Sequence, residues 1–105
     1  MDLHLGDLEH VVLLAVMRLD DDAYTAPILD EIRRQTGRSI SRGALYTALD
    51  RLETKGCLRS RLGEPLAERG GRARRYFTVT PAALRALKDS RQALLRLWRG
   101  LEPRL

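Results

Sequence analysis

Two helix-length segments of this chain are separated by only Arg38-Ser39-Ile40, and that short join restricts the fold more than any other feature of the sequence. The first segment opens at Thr25, whose hydroxyl is placed to cap a helix, with Pro27 in the first turn where its missing N–H costs nothing. Ile28, Leu29 and Ile32 then recur at helical spacing until Gly37 ends the run. The second segment, ISRGALYTALDRLETKG, runs from Ile40 to Gly56. Ser41 is its N-cap, Ile40 and Leu45 occupy the positions of a hydrophobic staple, and Gly56 supplies a left-handed stop. Two helices joined by a tight turn containing Gly make a helix-turn-helix.

At 100° per residue, Leu45, Ala48, Leu49 and Leu52 fall on one side of the second helix. Gly43, Tyr46, Thr47, Asp50, Arg51 and Thr54 fall on the other. One face packs, and the other is left to meet something outside the domain.

After Gly56 the period changes from helical to alternating. Leu58 and Leu62 point one way and Arg59 and Arg61 the other; further on, Phe77 and Val79 oppose Tyr76 and Thr78. These are two strands of a hairpin. Between them, Gly63 to Ala73 contains Pro65, Gly70, Gly71, Arg69 and Arg72, which predicts a basic, irregular tip. A hairpin with a basic tip directly after a helix-turn-helix is the wing of a winged helix, set to lie along a phosphate backbone.

Before this unit, Leu8 to Leu19 is apolar at nearly every position except Glu9, His10 and Arg18, so it needs cover on more than one side. After it, Thr80-Pro81 opens the longest predicted helix, Ala82 to Gly100. Along it Leu84, Leu87, Arg91, Leu94, Trp98 and Leu101 are spaced as a heptad seam broken by one Arg. A helix roughly 30 Å long has little of its own small domain to pack on at its far end. The economical expectation is a homodimer with these six residues at the interface. The predicted architecture is therefore mainly α: a three-helix core plus a two-stranded wing in residues 1–80, and a C-terminal dimerisation helix in residues 81–105, packed as one unit with the first helix.

Charge separates the same regions. Residues 1–22 carry net −5 and residues 23–37 are neutral, whereas residues 38–80 carry +6 and residues 81–105 carry +4. Seventeen of the nineteen cations are Arg, whose planar fork suits phosphate and guanine edges, although Lys is scarce throughout the chain. No apolar run reaches the roughly 20 residues needed to cross a bilayer, and the acidic MDLHLGDLEH start does not resemble a signal peptide, so the expected location is the cytoplasm. The single cysteine, Cys57, rules out an internal disulfide framework and reads as a small buried hydrophobe. His4 and His10 lack neighbouring metal-ligand types, no phosphate-binding glycine loop precedes a helix, and no nucleophile has a visible His and Asp partnership. An enzyme is not expected, nor a cofactor or metal.

The segments SRGALYTALDRLETKGCL and GGRARRYFTVT, in this order of elements, resemble the PadR family of bacterial transcriptional regulators, with Gly43, Leu45, Tyr46, Leu49, Leu52, Gly56 and Leu58 in the telling spacing. The resemblance spans nearly the whole chain. Its single long last helix is similar to the family's short subgroup. Ala83 stands where the family commonly has Gly, and Glu64 and Glu68 make the first half of the wing tip less basic. The resemblance implies a homodimeric winged helix that binds a palindromic operator in double-stranded DNA, usually as a repressor released by a small molecule.

On that basis the N-terminal turns of the second helix of the pair are expected in the major groove, beginning at Ser41. Gly43 lets the backbone approach, Arg42 and Thr47 are candidates for base edges, and Tyr46 and Arg51 for phosphates. Arg69, Arg72 and Arg74 are expected to hold the wing to the backbone or minor groove. Asp50 accepts from a cytosine amino group or pairs with a neighbouring Arg. Trp98, with Leu94 and Leu8, is either packing in the seam or, as the resemblance implies, a stacking site for a small aromatic effector. A competing reading is a winged helix that serves as a protein-interaction module with no specific DNA target. It requires apolar residues on the outer side of the Ile40–Gly56 helix, where Tyr46 stands alone.

Overall fold

A computed structural model describes residues 5–65 and 73–104. Four α-helices and one hairpin follow in the order α1 (Asp7–Leu19), α2 (Thr25–Thr36), α3 (Arg42–Thr54), β1 (Leu58–Pro65), β2 (Ala73–Val79) and α4 (Pro81–Trp98). Short 3₁₀ turns at Asp20–Asp22 and Glu102–Arg104 complete the described chain.

The helices end where their capping residues direct. Ser41 Oγ accepts from the Ala44 N–H at 3.0 Å, satisfying one of the free donors of the first turn of α3. Gly37 and Gly56 both adopt left-handed φ values, +76° and +77°, which a side chain would strain. Thr25 does not cap α2. Tyr24 takes that position in extended conformation and Thr25 is the first helical residue, so Pro27 lies third in the helix, still within the turn that needs no donor. The Tyr24 N–H is instead bonded to the Asp22 carbonyl at 3.0 Å.

Val12, Leu13 and Val16 of α1 meet Ile28 and Ile32 of α2 and Leu45, Leu49 and Leu52 of α3 in a fully buried core. Each such side chain contributes about 2 kcal/mol by leaving water. Cys57, Leu58 and Phe77 close the core from the hairpin, and Ala83 and Leu87 from the start of α4. Cys57 is fully buried, and burial pushes its thiol pKa up, in keeping with a packed rather than reactive group.

The strands pair antiparallel, Leu58 with Val79, Ser60 with Phe77 and Leu62 with Arg75, with a register shift between Leu62 and Pro65. They run beyond the predicted segments, to Pro65 on one side and from Ala73 on the other. Leu58 is buried, but Leu62, on the same face, is 71% exposed because the hairpin has by then left the helical body. The tip residues Arg69 and Arg72 lie outside the described residues.

α4 starts as its sequence directs and stops slightly early. Thr80 Oγ1 accepts from the Ala83 N–H at 3.3 Å and donates to the Gly56 carbonyl at 2.6 Å, while the Thr80 N–H donates to the Cys57 carbonyl at 3.0 Å. The end of α3 and the start of α4 are thereby tied at one buried threonine. The helix ends at Trp98, so Leu101 falls in the turn that follows.

Candidate nucleic-acid interface

On α3, Leu45, Ala48, Leu49 and Leu52 are buried, whereas Arg42, Gly43, Tyr46, Thr47, Asp50, Arg51 and Thr54 are exposed. The amphipathic split seen in the sequence is therefore the split observed. No Cβ built on Gly43 would meet anything closer than Ser41 Oγ at 3.9 Å, so the smooth surface there is not forced by packing within the chain.

Ion pairs fix the position of this helix. Glu9, buried in α1, receives Lys55 Nζ on both carboxylate oxygens at 2.7 and 2.8 Å and the Gly6 N–H at 2.8 Å. Burial alone raises the pKa of Glu9, but the Lys55 and Gly6 hydrogen bonds and the charges of Lys55 and Arg51 outweigh it, and the net shift is downward. Arg38, in the turn before α3, reaches Asp7 at 2.8 Å. Glu31 of α2 holds Arg18 at 2.8 Å and also pairs with Arg34; hydrogen bonds from Arg18 and Gln35 lead the causes that lower its pKa.

The wing is joined to the body on both faces. On one, Arg75 Nη2 donates to Glu53 of α3 at 2.9 Å, and Ser60 Oγ accepts from Arg75 Nε and donates to the other oxygen of Glu53. On the other, the guanidinium of Arg61 lies 4.6 Å from the Tyr76 ring centre, Tyr76 meets Tyr24 edge-on at 5.4 Å, and Arg74 lies 4.3 Å from the Tyr24 ring centre. A Cβ on Gly63 would come within 2.7 Å of the Tyr76 ring, so this stack needs a glycine opposite it. The Phe77 N–H donates to the Ala23 carbonyl at 2.9 Å, anchoring the hairpin to the loop before α2.

The sequence-predicted DNA-facing set therefore divides. Ser41, Arg42, Gly43, Tyr46, Thr47 and Arg51 lie together along α3. Arg74 lies at the tip-side end of β2 with its guanidinium on Tyr24, a placement set by an aromatic contact that spacing alone does not reveal. Asp50 is exposed, and no cation among the described residues pairs with it.

A second surface runs between α1 and α4. It is an open groove of about 530 Å³ walled by Leu14, Met17, Leu84, Leu94, Leu95 and Trp98, with His10, Lys88 and Arg91 at its polar margins. His10 Nε2 lies 2.9 Å from Ser90 Oγ and joins the two helices. Leu87 lines the inner end of this groove and is only 9% exposed, packed into the subunit's own core. Leu8 lies against α3, in a hollow with Ala44, Thr47 and Arg51, not beside Trp98. The sequence reading missed Leu14 and Met17; their three-residue spacing on a helix already apolar on several faces was the available signal.

A helix-turn-helix supported by α1, followed by an antiparallel wing, defines the winged-helix class. The transcriptional regulator PadR-like family matches residues 13–89. Transcriptional regulator Rv3488 from Mycobacterium tuberculosis is 39% identical over 80 residues, 76% of this chain and 70% of that protein. A PadR family transcription regulator from Clostridium difficile superposes with a TM-score of 0.75 at 19% identity, covering 93% of this chain and 97% of the other. A PadR-like transcription factor from Bacteroides fragilis does so with the same TM-score, 0.75, at 20% identity, covering 93% and 89%. The chain belongs to the PadR-like family and is a DNA-binding transcriptional regulator. Its family and structural neighbours are regulators, not enzymes, and no described helix is long and apolar enough to cross a membrane.

Proposed function

We propose that this protein is a cytoplasmic homodimeric repressor in which two copies of α3 read a palindromic operator and a small molecule releases the complex. The observation that carries this reading is the outer face of α3, where Arg42, Thr47 and Arg51 stand exposed around Gly43 and take no part in the core. Arg42 and Thr47 approach base edges, while Tyr46, Arg51 and the Ser41 end of the helix meet phosphates. Arg59, exposed on the wing, joins the phosphate contacts together with Arg69 and Arg72. Arg74 acts through the Tyr24 stack, orienting the wing.

The dimer is supported by the groove between α1 and α4. Leu14, Met17, Leu84, Leu94, Leu95 and Trp98 are each between 43% and 53% exposed in one chain, a contiguous apolar surface of the kind that another subunit covers. In functional terms, residues 1–80 bind DNA and residues 81–105, with α1, set the dimer. Trp98 and Leu94 would flank an aromatic effector at that junction.

The test is a mobility shift with the duplex immediately upstream of the gene at two salt concentrations. Saturable, salt-sensitive binding that Arg42→Ala and Thr47→Ala make indifferent to operator sequence is the expected result. Binding unaffected by salt, or operator preference unchanged in those variants, would overturn it. Quenching of Trp98 by planar cations or phenolic acids, with loss of the shifted band, tests the release step.

A further inference from the structure

Asp50 stands near the middle of the outer face of α3, between Thr47 one turn before it and Thr54 one turn after. An acid there opposes binding to any phosphate-lined groove unless something neutralises it. Six acids lie on α1, α2 and α3, and five of them, Asp7, Glu9, Asp30, Glu31 and Glu53, are held by an Arg or Lys. Asp50 is the exception among these six, with no partner among the described residues, and the helix gives it no cation: the residues three and four positions away are Thr47, Tyr46, Glu53 and Thr54. Arg51, the adjacent cation, is turned about 100° around the helix axis.

We infer that Asp50 is a specificity residue that accepts a hydrogen bond from the amino group of one cytosine in each operator half-site. This rests on the DNA-reading role proposed for α3. The major-groove edge of cytosine offers the N4 amino donor next to a C5–H, so a carboxylate meets no lone pair on that base. Adenine places the N7 acceptor beside its amino group, and guanine and thymine present acceptors that repel an acid. The unpaired charge thus disfavours every duplex, and least the one with cytosine in the right place. It does so by rejecting wrong sequences more than by strengthening attachment. Arg51 supplies attachment through phosphate on the same helix, while Asp50 selects beside Arg42 and Thr47 by excluding wrong bases.

The test is selection of binding duplexes from a randomised double-stranded library with the full-length protein, Asp50→Ala and Asp50→Asn, alongside binding to an unrelated duplex at two salt concentrations. The wild type is expected to enrich a two-fold motif with cytosine at one symmetric position. Asp50→Ala should lose that preference, worth roughly tenfold per half-site, keep the rest of the motif, and bind the unrelated duplex more tightly. Asp50→Asn should move the preference toward adenine, which its amide can meet at both N6 and N7. A motif unchanged in Asp50→Ala, or general loss of binding in that variant, overturns the inference while leaving the DNA-reading role of α3 standing. Absence of any salt-sensitive binding or enriched motif with the wild type overturns that role, and this inference with it.

Discussion

The body formed by α1, α2 and α3 and the outer half of α4 are both rich in leucine, yet the first buries most of its apolar side chains, Leu14 and Met17 apart, and the second leaves them in water. Leu13, Leu45 and Leu52 are fully inaccessible, whereas Leu94, Leu95 and Leu97 are 53%, 53% and 73% exposed. Both carry helical periodicity. The difference is geometric: α3 lies across two other helices and a hairpin, while beyond Leu87 α4 has, among the described residues, α1 beside it. An apolar helical stripe identifies a surface that must be covered, and it is silent about which chain covers it.

The sharpest way to break this contrast is truncation on each side of it. Leu45→Ala should cost about 2–5 kcal/mol in urea unfolding, the range for a buried leucine left as a cavity. If Leu97→Ala costs as much, the outer half of α4 is not the bare surface described. Next in size, the double change Leu94→Glu, Leu95→Glu should weaken self-association by about hundredfold or more, read by sedimentation across a dilution series, with the helical content of the monomer kept. An unchanged mass would place the dimer contact elsewhere. Thr80→Val removes the cap of α4 and the bond to the Gly56 carbonyl, with an expected loss of about 1–2 kcal/mol in the same unfolding assay.

The smallest effect is acid sensitivity, and it belongs to the body. Glu9 and Glu31 bind protons less readily folded than unfolded, because Lys55 and Gly6 act on the first and Arg18 and Gln35 on the second. Their stabilisation is therefore complete above the usual carboxylate value of 4.5 and is lost as pH falls below it through the lowered folded values. Urea midpoints measured from neutral pH down to about 3 should show this loss, and Glu9→Gln should reduce the slope. An unaltered slope in that variant would mean that the Lys55 pair does not contribute to the pH dependence.

Much of the fold is written locally. Ser41, Gly37, Gly56 and Thr80-Pro81 mark helix ends through bonds to neighbours a few residues away, and each acts in the structure as its type predicts. Thr25 did not cap, since Tyr24 is held extended next to it and its ring is engaged with Tyr76 and Arg74 of the wing, partners some fifty residues distant. The outer face of α3 was legible because exposure on a helix follows from periodicity. The use of Arg74 on an aromatic ring, the Glu9 clamp on Lys55 and the burial of Leu87 were not, because each depends on which elements the tertiary fold brings together. The sequence leaves Asp50 open between a paired and an unpaired acid, and among the described residues no cation pairs with it.

The buried hydroxyl of Thr80 joins the Gly56 carbonyl, just past the end of α3, to the first turn of α4. In the proposed dimer that small knot is one hydrogen-bonded corner, beside the Glu9–Lys55 clamp, between the part that touches bases and the part that sets the separation of the two copies. A change there would leave each half-site's preferred letters alone and alter the number of base pairs preferred between them. Spacer length in the operator would then depend on a buried threonine that reads no base itself.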